Sequence, residues 1–206
     1  MSVLVTGANG YLGREVVAWL LNNTAELVIG VDRVWGEGAM AHDRFKKVQF
    51  DLHDLLSGRE VPVLPDASTL IHLAAHVQVA QGMDDATEQM LQTNSLLLLP
   101  LIGWVRERGI SKFVFSSSMT VYADQPFGGA IAEDAPQVPK SFYGLSKQYA
   151  EQILRLACDG KGFSGIAVRL PGLYGGVRRS GLLYRLASCI RDGKSISLDL
   201  SGLGRG

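Results

Sequence analysis

The sequence predicts an α/β domain with a doubly wound parallel sheet, and three observations point there. Strand-like and helix-like patterns alternate along the chain, as they do where helices connect parallel strands on both faces of a sheet. Two strand-like runs, Thr69-Leu70-Ile71-His72-Leu73-Ala74 and Lys112-Phe113-Val114-Phe115-Ser116, are nearly continuous in apolar residues, which suits strands covered on both faces. At the amino terminus an apolar run, Val3-Leu4-Val5, stops at a turn of small residues and passes straight into a helical pattern.

Taken in order, the patterns place a strand at 2–6, a helix at 11–23 with Val16, Val17, Leu20 and Leu21 on its apolar face, and strands at 27–32, 46–50 and 68–74. A helix at 86–108, a strand at 112–117, a helix at 143–158 and a strand at 164–170 follow. Segments 33–44 and 123–141, rich in Gly, Pro, Asp and Ala, read as loops, the second long enough to suggest a lid or binding loop. There is no internal repeat or low-complexity tract. The most lipid-like run, Leu96 to Val105, contains Pro100 and is about half the ~20 residues needed to span a bilayer, so it reads as one buried helix.

A chain of 206 residues, 47% of them hydrophobic, accounts for one well-buried main domain plus an appendage. Lys+Arg and Asp+Glu both count 20, so no charge imbalance points to nucleic acid or to an anionic membrane, and a small-molecule partner is expected. Cys158 and Cys189 lie far apart and His42, His53, His72 and His76 lack metal-ligand spacing, so neither a metal site nor a disulfide is expected. The first strand begins without the basic and apolar regions of a signal peptide, which leads to the expectation of a cytoplasmic protein.

The first turn carries chemistry. In Gly7-Ala8-Asn9-Gly10-Tyr11-Leu12-Gly13, Gly7 is suited to the tight turn, Gly10 leaves room for a pyrophosphate, and Gly13 lets the helix approach the strand. The helix start then offers N–H groups and partial positive charge to an anion. The spacing is G-x-x-G-x-x-G, not the G-x-G-x-x-G of the plain dinucleotide fingerprint. Asp32 follows at the end of the second strand, about 20 residues on, where a carboxylate accepts hydrogen bonds from an adenosine ribose. That favours NAD as cofactor, while the adjacent Arg33 keeps NADP open.

A second concentration runs from Phe115 to Lys147. Ser116-Ser117-Ser118 falls at the carboxyl end of a strand, the edge where open α/β sheets bind ligands. Tyr143 and Lys147 lie one helical turn apart and can share a face. A Lys147 ammonium beside the phenol, helped by a cationic nicotinamide, is expected to pull the Tyr143 pKa below its ordinary value of about 10 and make it a general acid/base.

These stretches, together with Asp51-Leu52, His72-Leu73-Ala74-Ala75, Asn94, Met119-Thr120-Val121-Tyr122 and Arg169-Leu170-Pro171-Gly172-Leu173-Tyr174-Gly175, resemble in content and order the extended short-chain dehydrogenases/reductases. Specifically, the chain resembles the NAD-dependent nucleotide-sugar epimerase/dehydratase branch, and the resemblance covers essentially the whole chain. It implies a Rossmann-like fold and a catalytic set of Ser118, Tyr143 and Lys147. The serine would hydrogen-bond the reacting oxygen, the tyrosine move the proton, and the lysine tune the phenol while holding the nicotinamide ribose. The implied cofactor residues are Gly7, Asn9, Gly10, Tyr11, Leu12, Gly13, Asp32, Arg33, Asp51, Leu52, Leu73, Ala74, Ala75, Asn94, Ser116, Tyr143, Lys147 and Pro171. Asp51 and Leu52 are assigned to the adenine, and Asn94 to supporting the helix behind the site.

Three departures qualify the resemblance. Dehydrating relatives usually carry an Asp-Glu pair where this chain has Met119 and Thr120, which disfavours dehydration. Gly172 replaces an Asn that many sugar-nucleotide enzymes use on substrate. The length suggests a dinucleotide-binding domain over 1–171 and only the start of a substrate-binding lobe over 172–206, with a carboxyl-terminal part absent. The resemblance implies epimerisation of a sugar, as a sugar nucleotide, through a transient keto intermediate. Alternatives are a reductase or dehydrogenase of a small carbonyl or hydroxyl compound, and an idle NAD-sensing or scaffold protein. Surplus apolar positions on helices 86–108 and 143–158, with the family's habit of pairing them, lead to an expected homodimer.

Overall fold

β1 (Ser2–Thr6) is the strand from which the sheet grows in both directions. The structure is a computed structural model describing residues 2–36, 40–59, 61–77, 85–122, 130–158, 162–175 and 181–195. On one side of β1 lie β2 (Leu27–Asp32) and β3 (Phe45–Gln49); on the other lie β4 (Thr69–His72), β5 (Lys112–Ser118) and β6 (Ser164–Leu170). All five pairings are parallel, giving the order β3-β2-β1-β4-β5-β6. The chain therefore leaves β1 in opposite directions, and a crevice opens at the carboxyl ends of β1 and β4, where such sheets take ligands. This is the doubly wound, Rossmann-like arrangement.

Alternation along each strand supplies two cores. Val3, Val5 and Val28 meet Val17, Leu20 and Leu21 of α1 (Tyr11–Asn23) on one face. Leu4, Ile29, Val31, Leu70, Phe113 and Phe115 meet the helices of the other face. β4 stops at His72, two residues short of the expected end, because its partner β1 ends at Thr6, opposite His72, and turns away as the glycine loop.

The single helix expected at 86–108 is three pieces. α2 (Asp85–Leu91) passes through a π-turn at Gln92–Leu96 into α3 (Leu98–Glu107). Pro100 explains the break: it has no N–H for the Leu96 carbonyl, and its ring crowds the preceding turn. The widened turn, with the Leu97 N–H donating to the Gln92 carbonyl at 2.9 Å, points Asn94 and Ser95 into the protein. Leu98, Leu101, Ile102 and Val105 of α3 enter the core with Ala150 and Leu154 of α4 (Phe142–Ala157). Leu96 of the π-turn, Leu99 of α3 and Tyr149 and Leu156 of α4 remain exposed.

Beyond β6, the residues expected to begin a second lobe contribute α5 (Leu182–Arg191), an element the sequence patterns did not single out. Residues 176–180 and 196–206 lie outside the described residues, as do 37–39 and 123–129 of the two expected loops. Among the described residues no helix is long and apolar enough to cross a membrane.

Candidate active site

The loop after β1 has a shape that only missing side chains permit. Gly7 has φ +68°, and a Cβ there would lie 2.6 Å from the Ala74 backbone nitrogen, just past β4. A Cβ on Gly13 would lie 2.0 Å from the Gly7 carbonyl oxygen, so α1 reaches the loop only because residue 13 is glycine. Gly10 caps α1 without a side-chain hydrogen bond, and the first turn holds no acidic residue, which leaves the positive end of the helix to a ligand. Tyr11 and Leu12, half-buried, open the helix, and the Tyr11 hydroxyl donates to the Gly175 carbonyl at 3.1 Å.

Asp32 and Asn9 join this loop to the end of β2. Asp32 Oδ2 accepts from the Asn9 N–H at 2.9 Å, and Asn9 Nδ2 donates to the Val34 carbonyl at 2.7 Å. Arg33 beside them is exposed. Asp51, also exposed, accepts from the His53 N–H at 3.0 Å and caps the short 3-10 turn Leu52–Ser57, while Leu52 leans on the core. Leu73, Ala74 and Ala75 run on from β4 behind the glycine loop, tethered by the Leu73 N–H to the Thr6 carbonyl at 3.1 Å. Pro171 is exposed just after β6.

The other end of the crevice is polar and buried. Ser116, Ser117 and Ser118 close β5. Ser116 Oγ donates to the His72 carbonyl at 3.0 Å, and its own carbonyl accepts from Lys147 Nζ at 2.9 Å. Ser118 Oγ accepts from the Thr120 N–H at 3.2 Å and the Thr120 hydroxyl at 2.9 Å, which leaves its own hydrogen for an outside acceptor. α4 starts where Ser141 Oγ caps the Gly144 N–H at 3.1 Å, and presents Tyr143 and Lys147 on successive turns. Lys147 Nζ lies 5.8 Å from the Tyr143 ring centroid and 4.8 Å from that of Phe115. Asn94 holds the site from behind. It accepts from the His76 N–H at 2.8 Å, and its Nδ2 donates to the His76 carbonyl at 2.9 Å and to Ser146 Oγ at 3.1 Å.

The expected depression of the Tyr143 pKa is not what this protein shows on its own. Burial pushes the phenol above its ordinary value. Burial also lowers Lys147 to about 7, so the ammonium meant to favour phenolate is itself marginal near neutral pH. Its three hydrogens have one acceptor, the Ser116 carbonyl, among the described contacts. The deficit extends to His72, fully buried, whose Nδ1 lies 2.7 Å from Thr6 Oγ1 while Nε2 has no partner among the described residues. Burial first, and then the Lys147 charge, lower His72 to about 3, so its ring is neutral.

Two features here escaped the sequence reading. Gly144 is where α4 touches the Met119–Val121 turn: a Cβ would lie 2.2 Å from the Thr120 carbonyl oxygen. Glu151, one turn beyond Lys147, forms an ion pair with Arg169 of β6 at 2.8 Å. The Lys147-to-Glu151 spacing was visible, but only the fold reveals the partner.

Among known proteins, the model of the NAD dependent epimerase/dehydratase family matches residues 3–205. The chain belongs to this family. Among its relatives, a UDP-glucose 4-epimerase of Streptococcus mutans is 32% identical over 175 residues, covering 82% of this chain and 51% of its own. A dTDP-4-dehydro-6-deoxy-D-allose reductase of Streptomyces bikiniensis is 28% identical over 183 residues, covering 84% of this chain and 56% of its own. The Bacillus cereus UDP-glucuronic acid 4-epimerase, solved with UDP-glucuronic acid and NAD, superposes with a TM-score of 0.80 at 25% identity, over 94% of this chain and 64% of its own. This family member thus spans about half the length of the curated relatives it matches. Among the described residues no cluster of three His, Cys, Asp or Glu is placed to hold a metal ion.

Proposed function

We propose that this chain binds NAD across the carboxyl ends of β1 and β4 and carries the proton-moving residues of a nucleotide-sugar epimerase. The observation that bears most weight is Lys147, a buried cation with one acceptor among the described residues, set between Tyr143 and the serines of β5. A buried ammonium in that state calls for further oxygen acceptors, and the hydroxyls of a nicotinamide ribose fit the need. Gly7, Gly10 and Gly13 would admit the pyrophosphate at the start of α1, and Asp32 would take the adenosine ribose. Residues 1–171 would form this cofactor domain and 172–206 belong to the substrate lobe.

NAD, when bound, supplies a reversible hydride acceptor. The chain supplies the proton path and the alignment. Lys147, given ribose hydroxyls as further acceptors, would be favoured in its charged form and would place a cation beside the Tyr143 phenolate, against the upward push of burial. The phenol oxygen then exchanges a proton with the sugar hydroxyl. Ser118 donates its free hydrogen to the same oxygen and fixes where it lies. Thr120, standing where dehydratases keep an acid, is occupied with Ser118, which supports epimerisation over dehydration.

Reduction of a keto sugar is the second reading, supported by the Streptomyces reductase among the relatives. It needs the same three side chains but exchanges cofactor at every turnover, so cofactor retained through purification favours the epimerase. An idle cofactor-binding scaffold would have no need of the Ser118, Tyr143 and Lys147 arrangement. In the decisive test Tyr143→Phe, measured with UDP-glucose and UDP-glucuronate, should retain NAD affinity and lose turnover by about 100- to 10,000-fold. Undiminished turnover would remove Tyr143 from the reaction.

Exposed Leu96 at the end of the π-turn, with Leu99 of α3 and Tyr149 and Leu156 of α4, suits an isologous dimer in which these helices pair across a two-fold axis. Light scattering at micromolar concentration should return twice the chain mass, and a monomer mass rejects the dimer.

A further inference from the structure

The three serines at the end of β5 are each held differently. Ser116 is gripped through its carbonyl by Lys147 and Ser118 is left for substrate, while the hydroxyl between them, on Ser117, donates to Glu151 Oε1. Tyr143, Lys147 and Glu151 stand on successive turns of α4, so the helix touches the end of β5 at two of its three serines.

Glu151 is almost wholly buried, and its acceptor capacity is drawn on by three other elements. Arg169, which lies opposite Ser117 in the β5–β6 register, donates from Nε at 3.0 Å to Oε1 and from Nη2 at 2.8 Å to Oε2. Gln137, in the segment leading into α4, donates to Oε2 at 2.7 Å. The remaining Arg169 nitrogen, Nη1, reaches the Tyr122 hydroxyl and the Glu133 carbonyl, and the guanidinium lies 4.9 Å from the Tyr122 ring centroid. Burial pushes the Glu151 carboxyl up, but the hydrogen bonds from Arg169, Ser117 and Gln137 and the Arg169 charge outweigh it, so Glu151 is ionised. Apolar packing would hold helix to sheet as firmly as a buried ion pair. What a fork-on-carboxylate contact adds is direction, because each oxygen accepts along fixed lines.

We propose that Glu151 and Arg169 are positioning residues: through Ser117 they fix the register of α4 against the end of β5, so that Lys147, Tyr143 and Ser118 converge on one point. The proposal rests on the reading of Lys147 as the ribose-holding cation. Neither residue touches the cofactor. Their effect reaches it through the Ser117 contact, which adjoins the Ser116 carbonyl that Lys147 grips.

NADH titrations, read by the fluorescence of the bound nicotinamide at saturation, test this without a substrate. Glu151→Gln keeps the side-chain shape, and Ser117→Ala removes one hydroxyl. Each should weaken NADH binding by about 2- to 30-fold and reduce the emission per bound NADH, since only loaded, folded protein is read. The double variant should be no worse than the weaker-binding single, because both cut one linkage. Should Glu151→Gln fail to fold, Ser117→Ala alone decides. Parental affinity and emission in the folded variants overturn the proposal. Lys147→Met separates the two levels of inference: if it alone weakens NADH binding, the positioning role fails and the cofactor reading stands. If Lys147→Met also binds NADH as the parent does, the cofactor reading has failed.

Discussion

The two ends of the crevice are made in opposite ways. At the β1 end the site is a space, kept open by glycines whose neighbours are backbone atoms 2.0–2.6 Å from where a Cβ would stand. At the β5 end it is a set of bonds among buried polar and charged groups that tie together β5, α4 and β6. The first is a local device, completed within a strand, a turn and a helix. The second joins residues far apart in sequence, Ser117 to Glu151 across 34 positions and Ser116 to Lys147 across 31. A site made of space tolerates no added atom but costs little to maintain. One made of buried polar groups depends on each bond being made and pays in desolvation.

The largest expected effects come from adding a single methyl at each end. In Gly13→Ala the new Cβ meets the Gly7 carbonyl, and in Gly144→Ala it meets the Thr120 carbonyl, so backbone must move in both. Each should lose about 3 kcal/mol of stability, the upper end for an overpacked site. Their functional losses should differ. Gly13→Ala should lose NAD affinity by about 100-fold, because the strand-to-helix turn no longer closes around the pyrophosphate. Gly144→Ala should keep NAD affinity within about tenfold and lose turnover by about 100-fold, as α4 is pushed off the turn that carries Ser118. Calorimetry and turnover on the two variants break the comparison if both lose affinity equally.

The same contrast explains what could be read in advance. Strands 2–6, 27–32 and 164–170 and helix 11–23 coincide with the structure because their patterns are local: an apolar alternation, a glycine turn, a 3.6-residue stripe. The glycine loop belongs with them. The residues Ser118, Tyr143 and Lys147 stood out only as two short motifs, and the link from Lys147 to the serine run needed the parallel register of β4, β5 and β6. Glu151 carried no local signal, since a carboxylate on an amphipathic helix usually faces water. The π-turn at 92–96 was missed although Pro100 was seen, because periodicity cannot tell a kinked helix from a straight one. In the protein without cofactor Tyr143 shifts upward, against expectation, for a related reason: sequence names the neighbouring charge but not the depth of burial that opposes it.

The smaller effect concerns the cost carried by the β5 end. Lys147 has one acceptor among the described residues, and its pKa is lowered by burial to about 7, against an ordinary value of 10.5. Between those two values the unfolded chain binds a proton that the folded chain does not, so on this account stability rises with pH from about 7 to about 10.5 and is lowest below 7. His72, lowered to about 3, acts in a separate window from about pH 3 to 6.5. Lys147→Met removes the smaller, charge-based part of that shift, but the His72 window closes at about pH 6.5, below the range in which the two proteins are compared. Lys147→Met replaces the ammonium with an apolar chain of similar length and removes the Lys147 slope. In the absence of cofactor the variant should therefore be more stable than the parent at pH 7, by roughly 1–2 kcal/mol, the lower part of the range for replacing buried charge with apolar packing. The margin should shrink as pH rises towards 10. Urea unfolding of both proteins from pH 6.5 to 9.5 measures it directly. Saturating NAD should reverse the order, because the acceptors it brings favour the charged lysine and leave the methionine unaffected. A variant less stable than the parent at every pH would mean that the Ser116 carbonyl and the Phe115 face already satisfy the ammonium, and the two ends of the crevice would then differ in construction but not in cost.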